Sequence, residues 1–222
     1  MTIFFDLDGP ILDVSEKYFR LYCDIVCEYG GESISKDDYW DCKRRRIPET
    51  NMLKRAGLTG SETDFMALRK SRIETESSLA YDRIWPETEN MLALLAGSNE
   101  LILVTLRHNR TSLMQELDRL KLSNYFSAIL SAPSDSTAHE HSNIKVSLVN
   151  EAFPGIEFSG WFVGDTATDI MAGKKLGLNT AAVTYGIRTP SEFHVLAPDV
   201  LVHTPVELSY WAKLLCEGVK EK

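Results

Sequence analysis

The chain has 222 residues, 44% hydrophobic and 25% charged, an ordinary globular composition rather than that of a disordered or fibrous protein. Acidic residues number 32 against 24 Lys and Arg, a formal net charge of −8, which argues against nucleic acid or an anionic membrane as partner. The length accommodates one large domain, or one domain with an inserted module.

The opening run Ile3-Phe4-Phe5 is stopped by Asp6 and has no basic lead, so no secretory signal is expected. No stretch approaches the ~18 apolar residues of a membrane span. Cys23, Cys27, Cys42 and Cys216 form no C-x-x-C pair and read as buried free thiols. The expectation is a soluble, reduced, cytoplasmic protein.

Thr2–Phe5 has the apolar character of a short buried strand. From about Ser15 to Tyr81 no strand is evident, and the pattern is helical. Phe19, Tyr22, Cys23 and Val26 recur at i, i+3, i+4 and i+7, Gly30-Gly31 closes that helix, and Phe65, Leu68 and Ile73 resume the period. Ser15 is expected to cap the first of these helices. Beyond it Pro86 suits a first helical position, with Leu92 and Leu95 inward and Gly97 as the stop. Apolar runs at Leu101–Thr105, Phe126–Leu130, Trp161–Gly164, Thr180–Thr184 and Val200–His203 then alternate with helical stripes, including Leu113, Leu117 and Leu120 and a last one from Val206 to Leu215. Ser131–Asn143 reads as a loop. Strands alternating with helices imply an α/β fold, a Rossmann-like three-layer arrangement around a parallel sheet. The expected division is a core of residues 1–14 and 83–222 and an inserted all-α module of residues 15–82.

In such a sheet, ligands bind beyond the carboxyl ends of the strands. Asp6 and Asp8 follow the first strand, two residues apart, Thr105 ends LILVT, and Asp165 ends WFVG with Asp169 four residues on. Two like charges 4 Å apart repel by about 4 kcal/mol at an effective dielectric near 20. So dense a set of carboxylates calls for a hard divalent cation with oxygen ligands, most naturally Mg²⁺, which would keep positions open for a phosphate.

Taken together, DLDGPILD, LILVTLR, NIKVSLV and GDTATDIMAGKKLGLNTAAVTYG resemble the four ordered motifs of the haloacid-dehalogenase-like hydrolase superfamily, and PDVLVHTPVEL looks like the tail of its phosphoglycolate-phosphatase-like members. The resemblance implies that Asp6 is a nucleophile forming an aspartyl-phosphate and Asp8 the general acid/base. It also implies that Thr105 and Lys145 bind the phosphoryl group. The metal would lie on Asp6, Asp8 through its backbone carbonyl, and Asp165, with Asp169 supporting the ion through water or steadying Lys145. Dehalogenases of the family lack an acid at the second aspartate, so Asp8 points away from C–Cl cleavage. Three positions depart from the family pattern: Pro10 after DLDG, Leu106 after Thr105, and Val146 after Lys145.

The implied activity is that of a Mg²⁺-dependent phosphatase acting on a small soluble phosphate ester, with the helical insert as cap. A phosphomutase on the same scaffold and a non-catalytic phosphate-ester-binding protein remain as alternatives. Arg44, Arg45 and Arg46, in a basic run of the insert, and Arg107, two residues past Thr105, are candidates for reading the substrate; the competing readings are a solvated helix face and a surface ion pair. Lys174 and Lys175 suit the C-terminus of their helix. His139-x-His141 is too little for a metal site.

Overall fold

Strands buried on both faces of a parallel sheet must be apolar along their whole length, and the short runs of this chain supply that. The computed structural model describes residues 1–133 and 141–218. In chain order the elements begin with β1 (Thr2–Phe5) and β2 (Leu12–Asp13). Five helices follow: α1 (Ser15–Glu28), α2 (Lys36–Arg44), α3 (Glu49–Arg55), α4 (Glu62–Arg72) and α5 (Glu76–Leu79). Then come β3 (Arg83–Ile84), α6 (Thr88–Ala96), β4 (Glu100–Thr105), α7 (Arg110–Arg119), β5 (Ala128–Ser131) and α8 (His141–Ala152). The chain continues through β6 (Gly160–Gly164), α9 (Ala167–Lys175), β7 (Asn179–Val183), β8 (Val200–Val202) and α10 (Pro205–Gly218). It divides into two units, Met1–Asp13 with Ile84–Lys222, and Val14–Arg83.

The first unit is an α/β, Rossmann-like domain built on a six-stranded sheet of order β5-β4-β1-β6-β7-β8, parallel at every pairing. Phe5 lies level with Leu103 of β4 and Val163 of β6, so the carboxyl ends of these three strands share one edge. Alternation along each strand sends successive side chains to opposite faces. Phe4, Ile102, Val104 and Phe162 therefore meet α8 and α9 on one face, where they pack with Val149 and Ala172. The other face carries Trp161, whose ring meets Trp211 of α10 edge-on at 5.1 Å. Helix layers thus cover both faces, as a buried parallel sheet requires.

Several boundaries differ from those the sequence suggests. Pro86 sits in a turn, and α6 starts at Thr88 after Glu87 takes a left-handed conformation (φ 66°). Phe126 is buried next to a short 3₁₀ turn and leaves strand pairing to begin at Ala128, because its apolar character serves packing and not the ladder. Most of the loop expected over Ser131–Asn143, with His139, lies outside the described residues.

In the second unit, the helices α1–α4 converge on Leu21, Tyr22, Ile25, Val26, Tyr39, Met52, Leu53 and Phe65. The Tyr22 and Tyr39 rings are stacked 4.6 Å apart at its centre. Ser15 is the first helical residue of α1 rather than its cap, a place taken by Val14. Ser35 does cap α2, accepting from the Asp38 N–H at 3.2 Å. Among the described residues, no helix is long and apolar enough to cross a membrane.

Candidate active site

The chain runs from β1 outward to β4 and β5, then returns to build β6, β7 and β8 on the other side of β1. Such a reversal opens a crevice at the carboxyl edge, the usual ligand site of open α/β sheets. Residues from β1, β4, β6, α8 and α9 meet there.

Asp6 follows β1 directly, its N–H bonded to the Val163 carbonyl at 2.9 Å. Its Oδ1 accepts from the Leu7 N–H at 2.9 Å and lies 2.9 Å from the Lys145 ammonium. Lys145, on the inner face of α8, also donates to Asp169 Oδ1 at 2.6 Å. Asp169 Oδ2 in turn accepts from the Thr166 N–H at 2.9 Å and its hydroxyl at 2.7 Å, which ties the first turn of α9 to the site. Asp165, at the end of β6, accepts from the Ile187 N–H on Oδ2 at 2.5 Å. Its Oδ1 is buried with no hydrogen-bond partner among the described residues.

Burial pushes the Asp6 carboxyl up to about 7; Lys145 opposes this, while Asp169 and Asp8 add to it. Burial, then Asp169 and Asp6, raise Asp165 well above the carboxylate range against the pull of the Ile187 N–H. For Lys145, burial works against the charge, but Asp169 and Asp6 outweigh it and hold the ammonium above its ordinary value. Acceptor oxygens of Asp6, Asp165 and Asp169 lie within 4.8 Å of one another. Three carboxylates against one ammonium leave two formal negative charges, which a single divalent cation would neutralise. The unpartnered Asp165 Oδ1 supplies a buried oxygen with no other role, so the residues present fit such an ion. Asp169 is less suited to direct ligation, because Lys145 and Thr166 occupy its oxygens.

Close backbone packing preserves this cluster. A Cβ on Gly9 would fall 2.1 Å from Asp165 Oδ2, and one on Gly186 would fall 2.2 Å from the same atom. Gly9 also has a φ of +108°, which L side chains rarely adopt. The DLDGPILD turn is braced by the Trp85 indole, donating to the Gly9 carbonyl at 2.8 Å, and the Tyr185 hydroxyl, donating to the Pro10 carbonyl at 3.0 Å.

Asp8 is half-buried, and its carboxyl faces Arg107. Arg107 is not a surface group: it is 4% exposed, with Nη2 2.5 Å from Asp8 Oδ1 and Nε 3.2 Å from Oδ2. Its Nη1 pairs with Glu116, itself buried on α7. The hydroxyl of buried Thr105 accepts from the Arg107 N–H at 3.3 Å. Glu116, Trp85, Tyr185, Gly186 and Ile187 have no part in the sequence expectations. Tyr185 and Gly186 stand inside a recognised motif, where no role is read for them; the others carry no local signal.

The arginine run belongs to the other unit. Arg44 ends α2, Arg45 follows as its cap, paired with Asp41 at 2.9 Å, and Arg46 has a positive φ. Positive charge there complements the carboxyl end of the helix. Lys43 lies 3.3 Å from Glu49 and above the Tyr18 ring. Lys174 reaches past its own helix to the carbonyls of Leu196 and Ala197, and Lys175 to Asn143.

Residues 3–183 match the family described as "Haloacid dehalogenase-like hydrolase", and the chain belongs to that family. Within this class of hydrolases it is similar to phosphoglycolate phosphatases. It is 24% identical over 214 residues to "Phosphoglycolate phosphatase" of Synechococcus elongatus, spanning 93% of this chain and 94% of the relative. To "Phosphoglycolate phosphatase 1" of Pseudomonas aeruginosa it is 26% identical over 216 residues, spanning 90% and 75%. A solved haloacid dehalogenase-like family hydrolase from Streptococcus pneumoniae shares the fold at a TM-score of 0.74 and 18% identity, covering 95% of this chain and 97% of that one.

Proposed function

We propose that the chain is a Mg²⁺-dependent phosphatase that hydrolyses a small phosphate monoester through an aspartyl-phosphate on Asp6. The observation that carries this reading is the Asp6 carboxylate held against Lys145 beside Asp165 and Asp169 at the carboxyl edge of the sheet. Among the described residues, the carboxylate contacts of Asp6 with the Leu7 N–H and Lys145 fall on Oδ1, which leaves Oδ2 to attack phosphorus. As the Asp6–phosphorus bond forms, the ester oxygen–phosphorus bond breaks and Asp8 protonates the departing oxygen. Asp8 then takes a proton from the water that attacks the aspartyl-phosphate, which releases inorganic phosphate and restores Asp6. Lys145 offsets phosphoryl charge, and the Thr105 hydroxyl, which accepts from the Arg107 N–H, keeps its own hydrogen for a phosphoryl oxygen. Asp6, Asp165 and the Asp8 carbonyl would hold the divalent cation, with Asp169 steadying Lys145. When bound, such an ion draws negative charge from the phosphoryl oxygens as the bond to phosphorus is made.

Relatives named phosphoglycolate phosphatase support a phosphorylated small acid as the first substrate to test. The decisive comparison is wild type against Asp6→Asn with phosphoglycolate and a generic aryl phosphate in Mg²⁺, following released inorganic phosphate. Removing the nucleophile should lower turnover by about 10³-fold or more. Undiminished hydrolysis would sink the reading, and isomer formation without phosphate release would point to a mutase.

A further inference from the structure

Burying an arginine requires compensation, and Glu116 already supplies one negative charge to Arg107. The fork nevertheless also engages both oxygens of Asp8. The Asp8 carboxyl is itself only partly buried. Paired in this way, its orientation is set by a side chain that is itself 4% exposed and anchored to a buried helix residue. Glu116 thus fixes Arg107, and Arg107 fixes Asp8. At 4% exposure and with this face of the fork committed to Asp8, Arg107 is poorly placed to read a substrate carboxylate.

Building on the reading above, in which Asp8 is the general acid/base, we infer that Arg107 is a positioning residue. Anchored by Glu116, it sets the pose from which Asp8 reaches the leaving oxygen. Small errors in such a pose are costly, because proton transfer demands hydrogen-bond reach at the moment of bond breaking. The need is greatest for an alkyl phosphate, whose alkoxide leaves poorly without a proton. It is small for 4-nitrophenyl phosphate, whose phenolate leaves readily without one.

The test compares kcat/KM for these two esters in Arg107→Met, Arg107→Lys, Glu116→Gln and Asp8→Asn. In Arg107→Met the alkyl ester should lose about tenfold or more while the nitrophenyl ester stays within about threefold. Arg107→Lys and Glu116→Gln should show the same selectivity with smaller losses. Both esters are assayed on one preparation, so their ratio does not depend on the fraction that folds. Adding Arg107→Met to Asp8→Asn should cost the alkyl ester nothing more, since the two act through one proton transfer.

Equal losses on both esters would overturn the inference and assign Arg107 to the fold or to the phosphoryl group. A KM increase confined to acid-bearing esters would also overturn it, in favour of substrate reading. If Asp8→Asn is inactive on the alkyl ester while Arg107→Met matches wild type, the positioning role alone fails. If Asp8→Asn hydrolyses the alkyl ester normally, the underlying assignment of Asp8 fails with it.

Discussion

The two units bury charge on different terms. In the helical unit the buried charges among the described residues are Lys17 and Asp82, matched one to one at 2.6 Å. In the α/β unit, buried Asp6, Asp165, Asp169 and Glu116 outnumber the buried cations among the described residues, Lys145 and Arg107; exposed Arg119 also reaches Glu116 at 3.6 Å, and half-buried Asp8 adds a further acid. A unit that has only to fold can balance its interior charges. A cluster left negative is poorly explained by stability, because each unmatched carboxylate works against folding. On the proposed reading, that excess is capacity for a cation and a phosphoryl group arriving together.

The comparison breaks most visibly at Lys17. Changing Lys17→Met strands Asp82 without its ammonium and should destabilise the protein by about 3–5 kcal/mol, read from urea unfolding. The double variant Lys17→Met/Asp82→Leu should recover most of the loss, since neither buried charge is then left. A single-variant loss below about 1 kcal/mol would mean that Lys17 and Asp82 are not a matched interior pair.

A smaller effect should come from metal and pH acting on the other unit. Asp6 is raised to about 7, above the ~3.9 of an unfolded aspartate, so between those values the folded protein holds a proton that the unfolded chain has lost. Without metal, stability therefore falls as pH rises through that window, and the penalty is complete above it. Asp165 is shifted in the same direction, while Lys145, raised above its ordinary value, stays charged and adds no slope near neutrality. A cation must displace these protons, so it binds better as pH rises. Saturating Mg²⁺ should stabilise by about 1–3 kcal/mol at a 10–100-fold excess over Kd. The gain in Tm should be larger at pH 8 than at pH 6. Equal gains at both pH values would remove Asp6 from the ion's surroundings.

Legibility followed the range of the interactions. LILVT reads as a strand because a continuous apolar run of that length has few other uses, and Glu100–Thr105 forms β4. Asp6, Lys145, Asp165 and Asp169 are legible from motif order, and they lie in one cluster in three dimensions. Glu116 is invisible to this reasoning, because its pairing with Arg107 joins a helix to a loop with no periodic or motif signal. For the same reason, the environment of Arg107 reads from sequence as a choice between substrate contact and surface pair. Local chemistry also misleads at termini: Ser15 and Pro86 are residues that favour helix starts, yet packing moves both starts by one or two positions.

The smallest effect lies at the end of α2, where the basic run invites two expectations. Arg45 pairs with Asp41 at 2.9 Å, but the two side chains are 64% and 54% exposed. Solvent screens such a pair, and ordering two long side chains offsets much of the attraction. Arg45→Ala should therefore change stability by no more than about 0.5 kcal/mol, with the difference shrinking as salt is added. Activity is the sharper readout. If Arg45 serves the helix end, kcat/KM for phosphoglycolate stays at the wild-type value, as expected from its pairing with Asp41. A tenfold rise in KM with unchanged stability would instead make it a substrate contact, and charge on the helical unit's surface would then be functional, contrary to the contrast between the two units.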